Sequence, residues 1–283
     1  MVLRAGLPRR QWLRFLVVLV LVAGAIVNLI PMLLLLTASL KPAGQEFAFP
    51  PEIIPRTFQW KNYVQAITAA PFARYLLNTL TIFVGAASGA LITAPMAAYA
   101  FARIRFPGRD ALFLLVISTI MLPDAVTLIP RFIEFRYVGW INTFMPLIIP
   151  TWLGGGAFNI FLLRQFFMSV PYELDEAARI DGANHLQILW RVLLPLSMPA
   201  VATILMFSFV THWNEFLTPL IYLTDAKKYT LALGLYSFVG EYATHWNLLL
   251  AASFLMLVPV LIVFFAAQRY FIEGLQFSGL GGK

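Results

Sequence analysis

The residues whose type and spacing carry the most chemistry lie in one polar stretch, Arg164 to Met198. Pro171 suits the first turn of a helix, and Glu173, Asp175 and Glu176 complement the positive end of its dipole. Arg179, three residues after Glu176 and four after Asp175, is placed to pair with either on the helix face. Gly182 interrupts this helix; a second begins at Asn184, with Gln187 placed to complete a capping box, and is expected to end before Pro195. Ala177, Ala178, Gly182 and Ala183 make a surface of little side-chain bulk beside the acidic groups. The chemistry is that of a knob entering a groove on a partner protein. A helix lying on lipid headgroups is expected to carry an excess of lysine or arginine, and this one is more acidic than basic.

Other chemistries find no support in the chain. There is no cysteine, and neither a Gly-x-Ser-x-Gly elbow nor a His-Glu-x-x-His motif occurs, which argues against an intramembrane enzyme. The word Thr-His-Trp-Asn occurs twice, at 211–214 and 244–247, but His212 and His245 suggest no third metal ligand, and no metal site is expected. Trp213 and Trp246 read as residues near the outer membrane interface. His185 reads as a surface residue. The acidic residues in apolar segments, Asp124 and Glu215, sit near segment ends and read as interfacial and not as a proton relay, which weighs against a gradient-driven secondary transporter. No Walker A sequence is present, the one Gly-Lys pair being Gly282-Lys283. Energy for any transport must come from a partner or a gradient.

The elements that position the polar stretch follow from composition. Hydrophobic residues make up 60% of the 283 and charged ones only 12%, far from the balance of a soluble domain. Apolar residues gather into six runs near the ~20 residues that a helix needs to cross a bilayer: about 15–36, 76–100, 111–129, 144–163, 200–220 and 248–267. The expected fold is an all-α polytopic membrane protein of six transmembrane helices, a single transmembrane domain over 1–283, with a short segment 1–14 ahead of the first span. The 164–198 connection between spans four and five carries the knob. The net charge of +7 belongs to membrane flanks and anionic lipid, and nucleic acid is not expected as a partner. Arg4, Arg9, Arg10 and Arg14 precede the first span, and Arg103, Arg105 and Arg109 join spans two and three. The positive-inside rule therefore puts both termini and the 164–198 connection in the cytoplasm.

Residues 41–74, rich in proline, read as an extended external loop. Pro31, Pro95, Pro146, Pro150 and Pro259 each remove a backbone hydrogen bond within a span. The small residues Gly85 to Gly89 invite close approach of another helix, and Gly154, Gly155 and Gly156 mark either a flexible point or a tight crossing.

Glu176-Ala177-Ala178, three residues, Gly182, nine residues, Val192, one residue, Leu194-Pro195 resembles the cytoplasmic signature of permease subunits of binding-protein-dependent ABC importers. Val192 replaces the usual isoleucine. Ser39-Leu-Lys-Pro42, Phe161 to Phe167, Pro171 to Gly182, Trp213-Asn-Glu-Phe216 and Ala266 to Phe271 resemble the maltose-type carbohydrate permeases, and specifically the six-span member of the pair. The resemblance implies a coupling helix, with Glu176, Ala177, Ala178, Arg179, Asp181, Gly182, Val192, Leu194 and Pro195 contacting an ATPase. It implies a second permease subunit, an ATPase dimer and an extracytoplasmic sugar-binding protein as partners, in a bacterial or archaeal inner membrane. ATP and Mg would be bound by the partner subunits and no cofactor by this chain. A pathway with few fixed charges suits a sugar, with Asn78, Thr79 and Asn214 as candidate hydrogen-bonding groups; related permeases also carry glycerol phosphates. The external stretch 224–247, with Lys228 and Tyr236, is expected to meet the binding protein.

Overall fold

The computed structural model describes residues 7–50, 52–240 and 244–279, with side chains over 12–50, 52–240 and 244–268. The side chains of Arg4, Arg9 and Arg10, and the last three residues of the Ala266 to Phe271 motif, lie outside the described side chains. Among the described residues the only bridge pair outside helices and turns is Val239 with Thr244; the rest of the regular structure is helical. Four helices are long and apolar enough to cross a bilayer, Trp12–Ser39, Phe72–Arg103, Met145–Ser169 and Trp246–Gln268. Two more candidate spans exist only as bent pairs.

The chain divides into two compact units. The first holds residues 1–69 and 238–256: helix α1 (Leu7–Ser39), helix α2 (Lys61–Ala69) and the first turns of the last helix, α14 (Trp246–Gly279). Here the expectation of an unbroken extended loop over 41–74 is corrected, because residues 61–69 form a helix. It buries Asn62 and Ala66, and Asn62 donates to the carbonyls of Ser39 (2.8 Å) and Lys41 (2.9 Å). Asn247 in turn donates to the Asn62 side-chain oxygen (3.2 Å), so the Ser39-Leu-Lys-Pro42 motif serves as the acceptor of a buried polar knot.

The second unit, residues 70–237 and 257–283, contains α3 (Phe72–Arg103), α4 (Arg109–Ser118), α5 (Asp124–Tyr137), α6 (Met145–Trp152), α7 (Ala157–Ser169), α8 (Glu173–Ile180), α9 (His185–Ile188), α10 (Leu194–Leu196), α11 (Met198–Asn214), α12 (Leu217–Tyr222), α13 (Leu231–Gly234) and the remainder of α14. Its core gathers Ala94, Ala98 and Tyr99 of α3, Ile160, Leu163 and Phe167 of α7, Ile188, Leu189 and Leu193 of the polar stretch, and Ala200, Val201 and Ile204 of α11.

Three boundaries differ from the sequence reading. The third apolar run is not one helix: Leu122 is extended ahead of Pro123, the residue before a proline being driven out of the α region, and the chain bends 99° between Arg109–Met121 and Asp124–Tyr137. The fourth is divided at Gly154 to Gly156. The second helix of the polar stretch runs past Pro195 to Leu196, because a π-helical turn over Leu189–Leu193 shifts the register where proline lacks its N–H. The two Thr-His-Trp-Asn words also part company. Trp213 is buried and stacks on Phe209 at 5.0 Å, whereas Trp246 is 45% exposed and meets Phe47 edge-on at 5.2 Å.

The triple glycine resolves as a tight crossing. All three have positive φ, and a Cβ on Gly155 would stand 2.4 Å from the Ala94 Cβ. Thr151 and Trp152, just before it, donate to the carbonyls of Ala86 (2.9 Å) and Gly85 (2.9 Å), so the small-residue stretch of α3 receives α6. Gly155→Ala is therefore expected to cost about 1–3 kcal/mol through overpacking and left-handed strain. Melting in detergent should show a clear drop for this variant and none for Gly24→Ala, where a Cβ meets nothing within 4 Å. Equal melting would show the crossing to be loose.

Candidate functional site

Helix α8 and the turn after it are specified residue by residue. Gly182, with φ +85°, closes the helix: its N–H donates to the Arg179 carbonyl (3.0 Å) and the Ala183 N–H to the Ala178 carbonyl (2.9 Å), a Schellman arrangement that needs a left-handed residue there. The next helix starts with both halves of the expected capping box, Gln187 N–H to Asn184 Oδ1 (2.9 Å) and Asn184 N–H to Gln187 Oε1 (2.8 Å). The two helices then divide their faces. Glu176, Ala177, Arg179, Asp181 and Gly182 are exposed, Ile180 stands 87% exposed, and nothing lies within 4 Å of a Cβ placed on Gly182. Ala178, Ala183 and Leu194 pack against the buried core, Val192 is half-buried and Pro195 is exposed. The small-residue surface read from the sequence is thus corrected: Ala177 and Gly182 lie outward, while Ala178 and Ala183 seat the knob on its own bundle.

What fixes the knob is an ion pair. Arg103, at the end of α3, places Nε 3.0 Å from Oδ2 of Asp175, with side-chain exposures of 6% and 0%. Asp175, one of the two partners that spacing offered to Arg179, is thus paired with Arg103. Arg103 Nη2 also donates to the Val170 carbonyl (2.8 Å), and its guanidinium lies 5.5 Å from the Tyr172 ring centre, with Arg179 at 5.9 Å from the same ring. Beneath them the Tyr99 hydroxyl and His185 Nδ1 stand 2.8 Å apart. Burial pushes the Asp175 carboxyl above the ordinary carboxylate range, against the pull of Arg103, Arg179 and His185. The pair is a close charge contact without an aligned hydrogen bond at the carboxylate oxygens.

The remaining sequence candidates take other places. Asn78 donates to the carbonyls of Lys227 and Tyr229 (2.9 Å each), and Thr79, fully buried, accepts the Leu231 N–H (2.9 Å). Both fasten the 227–231 segment to α3. Asn214 donates to the Val210 carbonyl of its own helix (2.9 Å). Lys228 is half-buried and donates to the Asn142 carbonyl, whereas Tyr236 is 56% exposed.

A family profile described as "Binding-protein-dependent transport system inner membrane component" matches residues 89–276, two thirds of the chain, and those residues include the knob and its anchor. The chain belongs to that family. It is 35% identical, over 93% of its length and 91% of the relative's, to the osmoprotective compounds uptake permease protein GgtD of Synechocystis sp.. It is 32% identical to the sn-glycerol-3-phosphate transport system permease protein UgpE of Yersinia pestis, covering 91% of this chain and 94% of that one. Identity is also 32% to the diacetylchitobiose uptake system permease protein NgcG of Streptomyces coelicolor, over 88% and 83%. Among solved structures, a chain of a bacterial ABC transporter involved in import of the acidic polysaccharide alginate superimposes with a TM-score of 0.80 at 25% identity, covering 93% of this chain and 98% of that one. A methionine ABC transporter chain, at 18% identity and TM-score 0.54 over 72% of this permease and 95% of that chain, shares the fold.

In this permease the residue that sequence reasoning missed is Arg103. It was legible as a topology-setting basic residue, but its partner lies 72 positions away and no local spacing joins the two. Breaking a buried pair by removing one partner is expected to cost about 3–5 kcal/mol. In Arg103→Met the unpaired Asp175 carboxyl rises further. A folded-state pKa above the unfolded one favours the fold at low pH and loses that stability as pH climbs from the unfolded value through the folded one. Arg103→Met should therefore be most impaired at alkaline pH, and Arg103→Met with Asp175→Leu should recover stability and lose that pH dependence. Melting of purified protein between pH 5 and 9 reads this; a pH-independent loss in the single variant would show Asp175 to be uncharged or solvated.

Proposed function

We propose that the chain is one of two membrane subunits of an ATP-driven importer for a sugar or related polyol, coupled through the α8 knob to a separate ATPase. The observation that carries the coupling role is the division of faces at 173–183: the inner face is locked to α3 by Arg103 and Asp175, and the outer face presents Ala177, Ile180, Asp181 and Gly182 with no cover from the described residues. An exposed isoleucine and leucines at 174 and 186 beside three carboxylates do not suit anionic lipid. They suit a protein groove.

The whole chain acts as one transmembrane domain of six crossings, each bent pair counted once, with both termini and 164–198 in the cytoplasm. The partners are a second permease, two ATPase subunits that bind ATP and Mg, and an extracytoplasmic binding protein. The solved alginate transporter in complex with a pentasaccharide-bound periplasmic protein, at 19% identity and TM-score 0.64, provides a fold precedent. Names of the relatives, an osmoprotectant, a glycerol phosphate and a chitin disaccharide among them, support polyhydroxylated cargo. Tyr236 is the more accessible of the two binding-protein contacts, since Lys228 holds Asn142. Asn78 and Thr79 serve the pathway by positioning the 227–231 segment, and Asn214 by ending α11.

An ATPase movement would reach the membrane through the knob. Ile188, Leu189 and Leu193 are wholly buried among residues of α3, α7 and α11, so these segments shift together. Gly182→Trp adds bulk only on the outer side and strains a left-handed turn, and Glu176→Lys reverses charge at the helix start. Both variants should insert normally and lose substrate-stimulated ATP hydrolysis, with Gly182→Trp also releasing the ATPase from membranes. Normal uptake by both would remove the knob from the coupling path.

A further inference from the structure

A cavity of about 450 Å³, within the range of small-molecule sites, opens in the second unit away from the knob. The sequence reading placed none of its pathway candidates there; Asn78, Thr79 and Asn214 do not line it. Its polar wall comes from two helices. Arg131 and Glu134 stand three residues apart on one face of α5, and His212, in the last turn of α11, and Glu215, the extended residue that follows that helix, both line the same cavity. The opposite character comes from Phe135 and Trp140, stacked at 5.8 Å and 22°, with Tyr222 edge-on to Phe135 at 5.4 Å.

Two carboxylates, Glu134 and Glu215, stand out among the polar groups; Thr211, Thr218, Thr230, Tyr222 and Trp140 add O–H and N–H groups that can also donate. His212 Nδ1 lies 2.7 Å from the Ser208 carbonyl, which can only accept, so Nδ1 carries a proton and in the neutral ring Nε2 is the acceptor. Glu215 accepts the Thr218 N–H with one oxygen at 3.2 Å and keeps the other. Glu134 offers two more oxygens. Arg131, the one cation among the described lining residues, is drawn to Asp124 at 3.6 Å. One positive charge therefore faces two negative ones along this wall, before Asp124 is counted.

From this arrangement we infer that the cavity is a cargo site for an uncharged polyhydroxylated solute, whose hydroxyls donate to Glu134, Glu215 and His212 Nε2 while its C–H face lies on the Phe135 and Trp140 wall, and that it rejects phosphorylated or uronate cargo. A phosphate or carboxylate brings like charge to a wall where Glu134 and Glu215 outnumber Arg131, which builds repulsion against it. The relatives do not decide the matter, since they include a glycerol phosphate permease and a chain from an importer of an acidic polysaccharide. This inference rests on the importer reading above and adds the charge class of its cargo.

The test uses the assembled importer, with its ATPase and binding protein, in proteoliposomes. The probes are trehalose, maltose, N,N′-diacetylchitobiose and sorbitol on one side, and sn-glycerol-3-phosphate, glucose 6-phosphate and a mannuronate disaccharide on the other. Uptake of at least one neutral probe and of no anionic one is expected. Glu134→Gln, Glu215→Gln and Trp140→Ala should each lower that uptake about tenfold, as the loss of a charged hydrogen bond or a stacking face implies. Co-purification with the ATPase checks that each variant still assembles. Uptake of an anionic probe, or neutral uptake that all three assembled variants leave unchanged, would overturn the site. Absence of uptake and of ATPase stimulation with every probe would instead defeat the importer reading itself.

Discussion

A carboxylate with no exposed surface at the edge of a membrane bundle is expensive to keep charged, and in this permease Asp175 is held there by Arg103. The contact joins the last turn of a 32-residue apolar helix to the first turn of an eight-residue polar one. Everything outward of it depends on that joint. Helix α8 is too short to be stable alone, so its geometry derives from this anchor, from the Val170 carbonyl that Arg103 also holds, and from Ala178 and Ala183 seated on the core. Because the anchor takes up the inner face, the outer face is free to be shaped for a partner. A buried ion pair adds little net stability over a hydrophobic contact of equal volume, and its use here fits a role in fixing one orientation of the knob.

The local parts of this arrangement were legible in the sequence. The capping box at Asn184 and Gln187, the acidic first turn of α8 and the glycine that ends it are all set within a few residues, and each forms as its spacing implies. Four of the apolar runs were legible for the same reason, since each falls in a helical segment long and apolar enough to cross a bilayer, while the third and fifth correspond to bent pairs. What could not be read was set by distance or by competition. The partner of Asp175 comes from another helix. Pro123 and Asp124 interrupt the third apolar run and mark the place of its break but not its 99° angle, and Pro195 is carried inside a helical run by a π-helical turn. Ala177 and Ala178 are adjacent and alike, yet face opposite ways, a consequence of helical geometry once one face is pinned.

The second unit thus carries two surfaces of different chemistry on one set of helices. At one place small and apolar residues are exposed beside carboxylates. At another, carboxylates and aromatic faces line a cavity between α5 and α11. Helix α11 contributes both to the core that holds the knob, through Ala200, Val201 and Ile204, and to the cavity, through Thr211 and His212.

The chain has no cysteine, so a single one introduced at Ala177 can report what the outer face of the knob touches. A short cysteine-reactive photocrosslinker attached there in the intact importer should join the permease to the ATPase subunit, with the yield falling sharply when Arg103→Met is added and α8 loses its anchor. A crosslink of equal yield in both backgrounds would contradict the dependence on the buried pair, and attachment to lipid or to another membrane subunit in place of the ATPase would contradict the coupling role of the knob.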